Sequence, residues 1–148
     1  FPYTTLFRSP CTLADVKAYR PATKSISSGQ VLLYPYSFDK ARLVVKEMTD
    51  ALALDLVDKK MVTDQIVLTI GYDIENLKNK EISRQYTGEI TIDAYGRKVP
   101  KHAHGTTNIH KQTSSTMLIM DAVLDLYKSS TSPFSYSITP EIYRLLPN

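Results

Sequence analysis

Two hydrophobic periods meet near residue 60, and their junction constrains the fold more than any motif in the chain. From Asp39 to Lys60, Ala41, Val45, Met48, Leu52 and Leu56 recur at steps of three and four, which marks one face of an amphipathic helix. From Thr63 to Ile74 the step shortens to two, with Ile66, Leu68, Ile70 and Tyr72 on one side of a strand. Each element has a single apolar face that must be covered. The simplest solution is a sheet with helices packed on it.

The rest of the chain extends this pattern. Thr12-Leu13-Ala14-Asp15 has the form of a capping box and predicts about two turns of helix before Pro21. Ser25 to Tyr34 is turn-like, then β-rich, and is assigned to a strand. Ser37 or Asp39 caps the long helix, and Lys59 and Lys60 meet the negative pole of its dipole. Glu75 to Gln85 is charged and loop-like, with room for a helical turn. Tyr86 to Tyr95 alternates, and Gly96 predicts a hairpin into a strand over Lys98 to Gln112.

Ser114 or Ser115 caps a second helix. Its apolar set is Ile119, Ala122, Val123 and Leu126, widened by Met120, Leu124 and Tyr127, so burial around much of its circumference is expected. After Lys128 the chain becomes serine-rich, and only Phe134, Tyr136 and Ile138 suggest another strand. The predicted fold is α+β: a βαββαβ antiparallel sheet with two helices on one face, an inserted hairpin and a weakly signalled last strand. The other sheet face is left for solvent or a partner.

The organisation along the chain follows. Residues 1–9 lack a period and are taken as a non-native leader. Residues 10–24 form a basic linker with a short helix, 25–128 the domain, and 129–148 a divergent tail of the kind a frameshift produces.

Composition removes several classes of function. The 148 residues include one cysteine, Cys11, so there is neither an internal disulfide nor a cysteine-based zinc site. No segment has the roughly 20 apolar residues a membrane span requires, and a cytoplasmic location is expected. The five glycines are isolated, which excludes a phosphate loop of the GxxxxGK kind. Met48, Met117 and Met120 are assigned to the core.

Charge is unevenly distributed. Between Asp93 and Asp121 there is no acid, but there are four cations, Arg97, Lys98, Lys101 and Lys111, and all three histidines, His102, His104 and His110. Those four exceed the net charge of +3, so the remainder of the chain is net acidic. A local basic stretch of this kind points to a polyanion. The three histidines could instead hold a zinc ion, with His102 and His104 roughly 7 Å apart on one strand face. Flanking Lys101 and Lys111 oppose a cation there, and no metal is assigned.

Several segments resemble one family, in chain order. These are Ala18-Tyr19-Arg20-Pro21 with Lys24-Ser25-Ile26-Ser27-Ser28-Gly29-Gln30, then Lys46-Glu47-Met48-Thr49-Asp50 and Val62-Thr63-Asp64-Gln65-Ile66. The run from Tyr95-Gly96-Arg97-Lys98-Val99-Pro100 through Lys101-His102-Ala103-His104-Gly105-Thr106 continues the match, as does Thr113-Ser114-Ser115-Thr116. Together they resemble the DNA-gripping little finger of Y-family translesion DNA polymerases, of the UmuC-like Gram-positive type, over about residues 10–128.

The resemblance implies a part in the SOS response and error-prone repair of damaged DNA. It implies sequence-independent binding of the template-primer duplex, with Lys24, Ser25, Ser27, Ser28 and Gly29 on one phosphate-facing strand. Arg97, Lys98, Lys101, His102, His104, Thr106, Thr107 and Lys111 lie on the other. It also implies that the Mg2+-dependent polymerase chemistry belongs to a palm, joined through a thumb, and that this chain holds no catalytic residue or cofactor of its own. A sliding clamp is a further implied partner, through an apolar motif to which Ile142 to Leu146 bears a slight likeness. The family's last strand is rich in arginine, whereas residues 129–148 contain one basic residue, Arg144. The alternatives are a stand-alone RNA- or protein-binding βαββαβ module and a His-rich zinc-binding protein.

Overall fold

The computed structural model describes residues 12–20, 25–34, 36–78, 80–86, 88–131 and 138–146. The leader, Cys11, Lys24, and Phe134 and Tyr136 lie outside them. The fold is mixed α+β. Its elements are α1 (Leu13–Ala18), β1 (Ile26–Gly29), α2 (Phe38–Asp58), β2 (Thr63–Tyr72), α3 (Glu75–Lys78), α4 (Lys80–Gln85), β3 (Ile90–Ile92), β4 (Lys98–Pro100), β5 (Ala103–Thr113), α5 (Thr116–Ser130) and β6 (Ile138–Leu146).

Four strands form one antiparallel sheet in the order β1-β6-β2-β5. Both β1 and β2 run antiparallel to β6, so they are parallel to each other, as are β5 and β6. Parallel strands cannot be joined by a tight turn and need a crossover. Helix α2 supplies the first crossover and α5 the second. A last strand does form, but over Ile138–Leu146, beyond the Phe134 to Ile138 alternation that signalled it, and it lies between β1 and β2 in the sheet.

The core lies between this sheet and α2 and α5. Ala41, Val45, Met48, Leu52 and Leu56 of α2 are all buried, joined by Val44 and Ala53, and they meet Ile66, Leu68 and Ile70 of β2. Helix α5 buries a single stripe, Ile119, Val123, Leu126 and Tyr127, while Met117 is 76% exposed. The expectation of burial around most of α5 is therefore corrected. With two layers, only one side of each helix faces the sheet.

Tyr127 ties the two helices together. Its ring lies 4.8 Å from that of Phe38, and its hydroxyl donates to the Phe38 carbonyl at 2.7 Å. Burial holds the phenol well above its usual pKa, so it is always a donor there. At Gly105 the sheet comes close to α5: a Cβ would stand 2.7 Å from Leu126 Cδ1 and 2.5 Å from Ser130 Oγ. Glycine permits that approach.

Local signals account for the helix ends. The Thr12–Asp15 capping box is present, and its hydrogen bond from Thr12 holds the Asp15 carboxyl below its usual pKa. Helix α1 nonetheless buries none of its residues. Helix α2 begins at Ser37, without a side-chain cap, and closes on Lys60 at φ 55°. Lys60 N–H donates to Val57 and Met61 N–H to Leu56, the paired bonds of a left-handed helix stop. Glycine is the usual residue at such a stop. Lys60→Gly is therefore expected to raise unfolding stability by about 1 kcal/mol in urea melts.

Two other expectations change. Between Glu75 and Gln85 the single helical turn allowed for becomes two short helices, α3 and α4; each is too short for a full amphipathic period to appear. The strand expected over Lys98 to Gln112 is broken at Lys101–His102. Lys101 N–H still donates to the Glu89 carbonyl at 2.8 Å beyond Pro100, and there the pairing with β3 ends; β3 and β4 form their own two-stranded sheet, and β5 joins the main one.

Candidate nucleic-acid interface

The face of the sheet away from α2 and α5 is set by strand alternation. In β5, His104, Thr106, Asn108 and His110 are exposed, while Ala103, Gly105, Thr107 and Ile109 are half-buried. Thr107, Gly105 and Ala103 pair with the buried Ile66, Leu68 and Ile70, so they lie on the helix side. Thr107 therefore leaves the predicted phosphate-facing set. His104 and Thr106 remain in it.

The outer face also contains residues that the sequence reading passed over. Thr69 Oγ1 lies 2.9 Å from His104 Nδ1, which fixes the imidazole against the neighbouring strand. Gln65, Val67 and Thr69 are the off-parity positions flanking Ile66, Leu68 and Ile70 in β2, so the period that placed those three in the core could have identified them.

The alternation of β5 fails near its end. The register moves from Thr63↔Thr113 to Gln65↔Asn108, leaving extra residues in β5, a bulge. His110 sits there at φ 58°, and its N–H donates to Asn108 Oδ1 at 2.6 Å. The side-chain oxygen closes a local turn that offsets the cost of the left-handed backbone. Lys111 is exposed just beyond.

The serine cluster lies at the opposite edge. Ser25, Ser27 and Gly29 are exposed, Ser28 is half-buried and Ile26 enters the core. Three inter-strand steps separate β1 from β5, about 14 Å. In the sheet register, Glu141 of β6 is the Cα partner of both Gly29 and Thr69. The segment from Ile142 to Leu146 is paired on both sides, with β1 and β2.

Arg97, Lys98 and Lys101 belong to the β3–β4 hairpin, and acids engage two of them. Asp93 organises the turn: Oδ1 accepts from the N–H groups of Tyr95 and Arg97, both at 2.9 Å, and Oδ2 accepts from Arg97 Nε at 2.7 Å. Gly96 supplies the positive φ, 75°, that this turn needs. The Arg97 guanidinium also lies 5.2 Å from the Tyr95 ring centre. Across the hairpin, Lys101 Nζ donates to Glu89 Oε2 at 2.5 Å.

Both carboxyls are held below their usual pKa, Asp93 chiefly by the Arg97 N–H and Glu89 by the Lys101 hydrogen bond. Lys98 and Lys111 have no ion pair among the described residues. The apparent run of four cations thus contains two that are already neutralised.

The lowered pKa values fix a pH dependence. A depressed carboxyl stabilises the hairpin above the ordinary range near about pH 4, and that contribution is lost as pH falls through the lowered values. Amide exchange at Arg97 and Lys101 is expected to quicken, relative to the α2 core, as pH falls below about 4. Unchanged protection at low pH would mean that the ion pairs do not hold the hairpin.

Among the described residues, no group of three or more His, Cys, Asp or Glu is placed to hold a metal ion. No described helix is long and apolar enough to cross a membrane. On β2 and β5 the outer face offers hydroxyl, imidazole and amide groups around the apolar Val67, with Lys111 at its margin, and the acidic Glu141 of β6 holds the register position between Gly29 and Thr69. The hydroxyl, imidazole and amide groups can donate hydrogen bonds to phosphate oxygens. The sequence matches no protein-family model and no curated protein.

Proposed function

We propose that this chain grips the backbone of template-primer DNA without reading its sequence, as the little finger of a Y-family translesion polymerase does. One observation carries the reading. The two polar strands singled out in the sequence, β1 and β5, are the two edges of one sheet whose other side is covered by α2 and α5. Their exposed donors therefore share a single face, about 14 Å from edge to edge, comparable with a major groove about 12 Å wide.

Polymerisation, and the Mg2+ it uses, would then belong to a palm joined to this chain through a thumb. A ring-stacking RNA platform needs aromatic side chains on the sheet face. Neither β2 nor β5 has a Phe or Tyr among its outward positions.

The test is fluorescence anisotropy of labelled primer-template DNA at several salt concentrations. Four free cations would give a log–log slope of roughly −3 to −4; with Arg97 and Lys101 engaged, about −2 is expected. Affinity should be weak and indifferent to sequence. A folded sample with no salt-dependent binding, or with a strong preference for one sequence, would overturn the reading.

The ion pairs provide a second handle. Glu89→Gln with Asp93→Asn keeps oxygen acceptors in the hairpin but frees Lys101 and Arg97. The slope is expected to steepen from about −2 toward −3.5, with affinity rising several-fold. An unchanged slope would show that the hairpin lies off the DNA.

A further inference from the structure

Between α3–α4 and the β3–β4 hairpin lies a cleft of about 500 Å³ that the DNA reading does not use. Ile74, Leu77 and Ile90 give it an apolar lining, and Ile90 remains 54% exposed although it sits on a strand. Ser83, Arg97 and Lys98 supply the polar part, Lys78 completes the wall, and no acidic side chain lines it among the described residues. Arg97 uses Nε on Asp93, which leaves the terminal guanidinium nitrogens to other partners. Lys98 has no ion pair among the described residues. The volume falls within the range of sites that enclose small organic ligands, roughly 300–1,000 Å³.

We propose that this cleft binds a small anionic amphiphile, a compound with an apolar body and one phosphate monoester or carboxylate head. The body lies on Ile74, Leu77 and Ile90, where it covers apolar surface that the fold leaves wet. The head meets Lys98 and the free end of Arg97, the latter being suited to a two-pronged contact with either anion. A purely apolar ligand would leave those cations unused. A bare anion would gain nothing from the floor. The inference does not rest on DNA binding, although the two ligands would compete for Lys98.

The test is isothermal titration calorimetry of the full chain with decyl phosphate and with decanoate, kept below their micelle concentrations. Decanol and inorganic phosphate serve as controls that carry one feature each. Saturable binding at one ligand per chain is expected, at least about tenfold tighter than either control. The preferred head group follows from comparing phosphate with carboxylate. Lys98→Glu, at an exposed position, should weaken binding by at least about tenfold while the circular dichroism spectrum is unchanged. Three results would overturn the proposal: no saturable binding, many ligands per chain, or affinity indifferent to Lys98→Glu. DNA titrations on the same sample keep the two readings separate, since either ligand can bind while the other fails.

Discussion

A Tyr127→Ala variant is expected to lose about 3–5 kcal/mol of unfolding free energy, enough to leave much of a domain of ordinary stability unfolded. Tyr127 is fully buried at the junction of α2, α5 and the sheet. Removing its ring opens a cavity, forfeits the packing on Phe38 and removes one of the donors to the Phe38 carbonyl. Tyr127→Phe separates these effects: it keeps the ring and loses only the hydroxyl, so a cost of about 1–3 kcal/mol is expected. Urea unfolding followed by circular dichroism measures both. An alanine variant within about 1 kcal/mol of the parent would mean that α5 is not docked through Tyr127.

The second large effect concerns DNA. Lys98→Glu combined with Lys111→Glu reverses the two exposed cations that lack an ion pair among the described residues. Binding to primer-template is expected to fall at least about tenfold and the salt slope to approach zero, because counterion release scales with the number of phosphates neutralised. The unfolding midpoint should not move, since both side chains are exposed. The opposite response is expected from Glu89→Gln with Asp93→Asn. Movement of the two variants in the same direction would place the DNA elsewhere on the molecule. Retained salt dependence after the double reversal would shift attention to α1 and the residues that follow it.

Several features of the site were legible in the chain itself. The exposed face of β5 follows from alternation, and strict use of that alternation would have excluded Thr107, which shares parity with Ala103 and Ile109. Gln65 and Thr69 follow from β2 in the same way. The charge on the hairpin was not legible. Glu89 lies twelve residues before Lys101, and only pairing of β3 with β4 brings them together. Counting cations over a window without acids overstated the local field, because cross-strand neighbours do not respect the window.

Hydrophobic period by itself determined that α2 and β2 form, and which residues of each enter the core. That information is local, since burial of one face repeats with the geometry of the helix or strand. Short-range chemistry likewise determined the Thr12–Asp15 cap. The tertiary structure alone decided the order of the strands. It placed β6 between β1 and β2, split the predicted long strand at Lys101–His102, and brought His104 against Thr69. A strand's period says which of its sides is apolar, but not which strand lies beside it. That choice depends on how two crossovers share one sheet, a property of the whole packed chain.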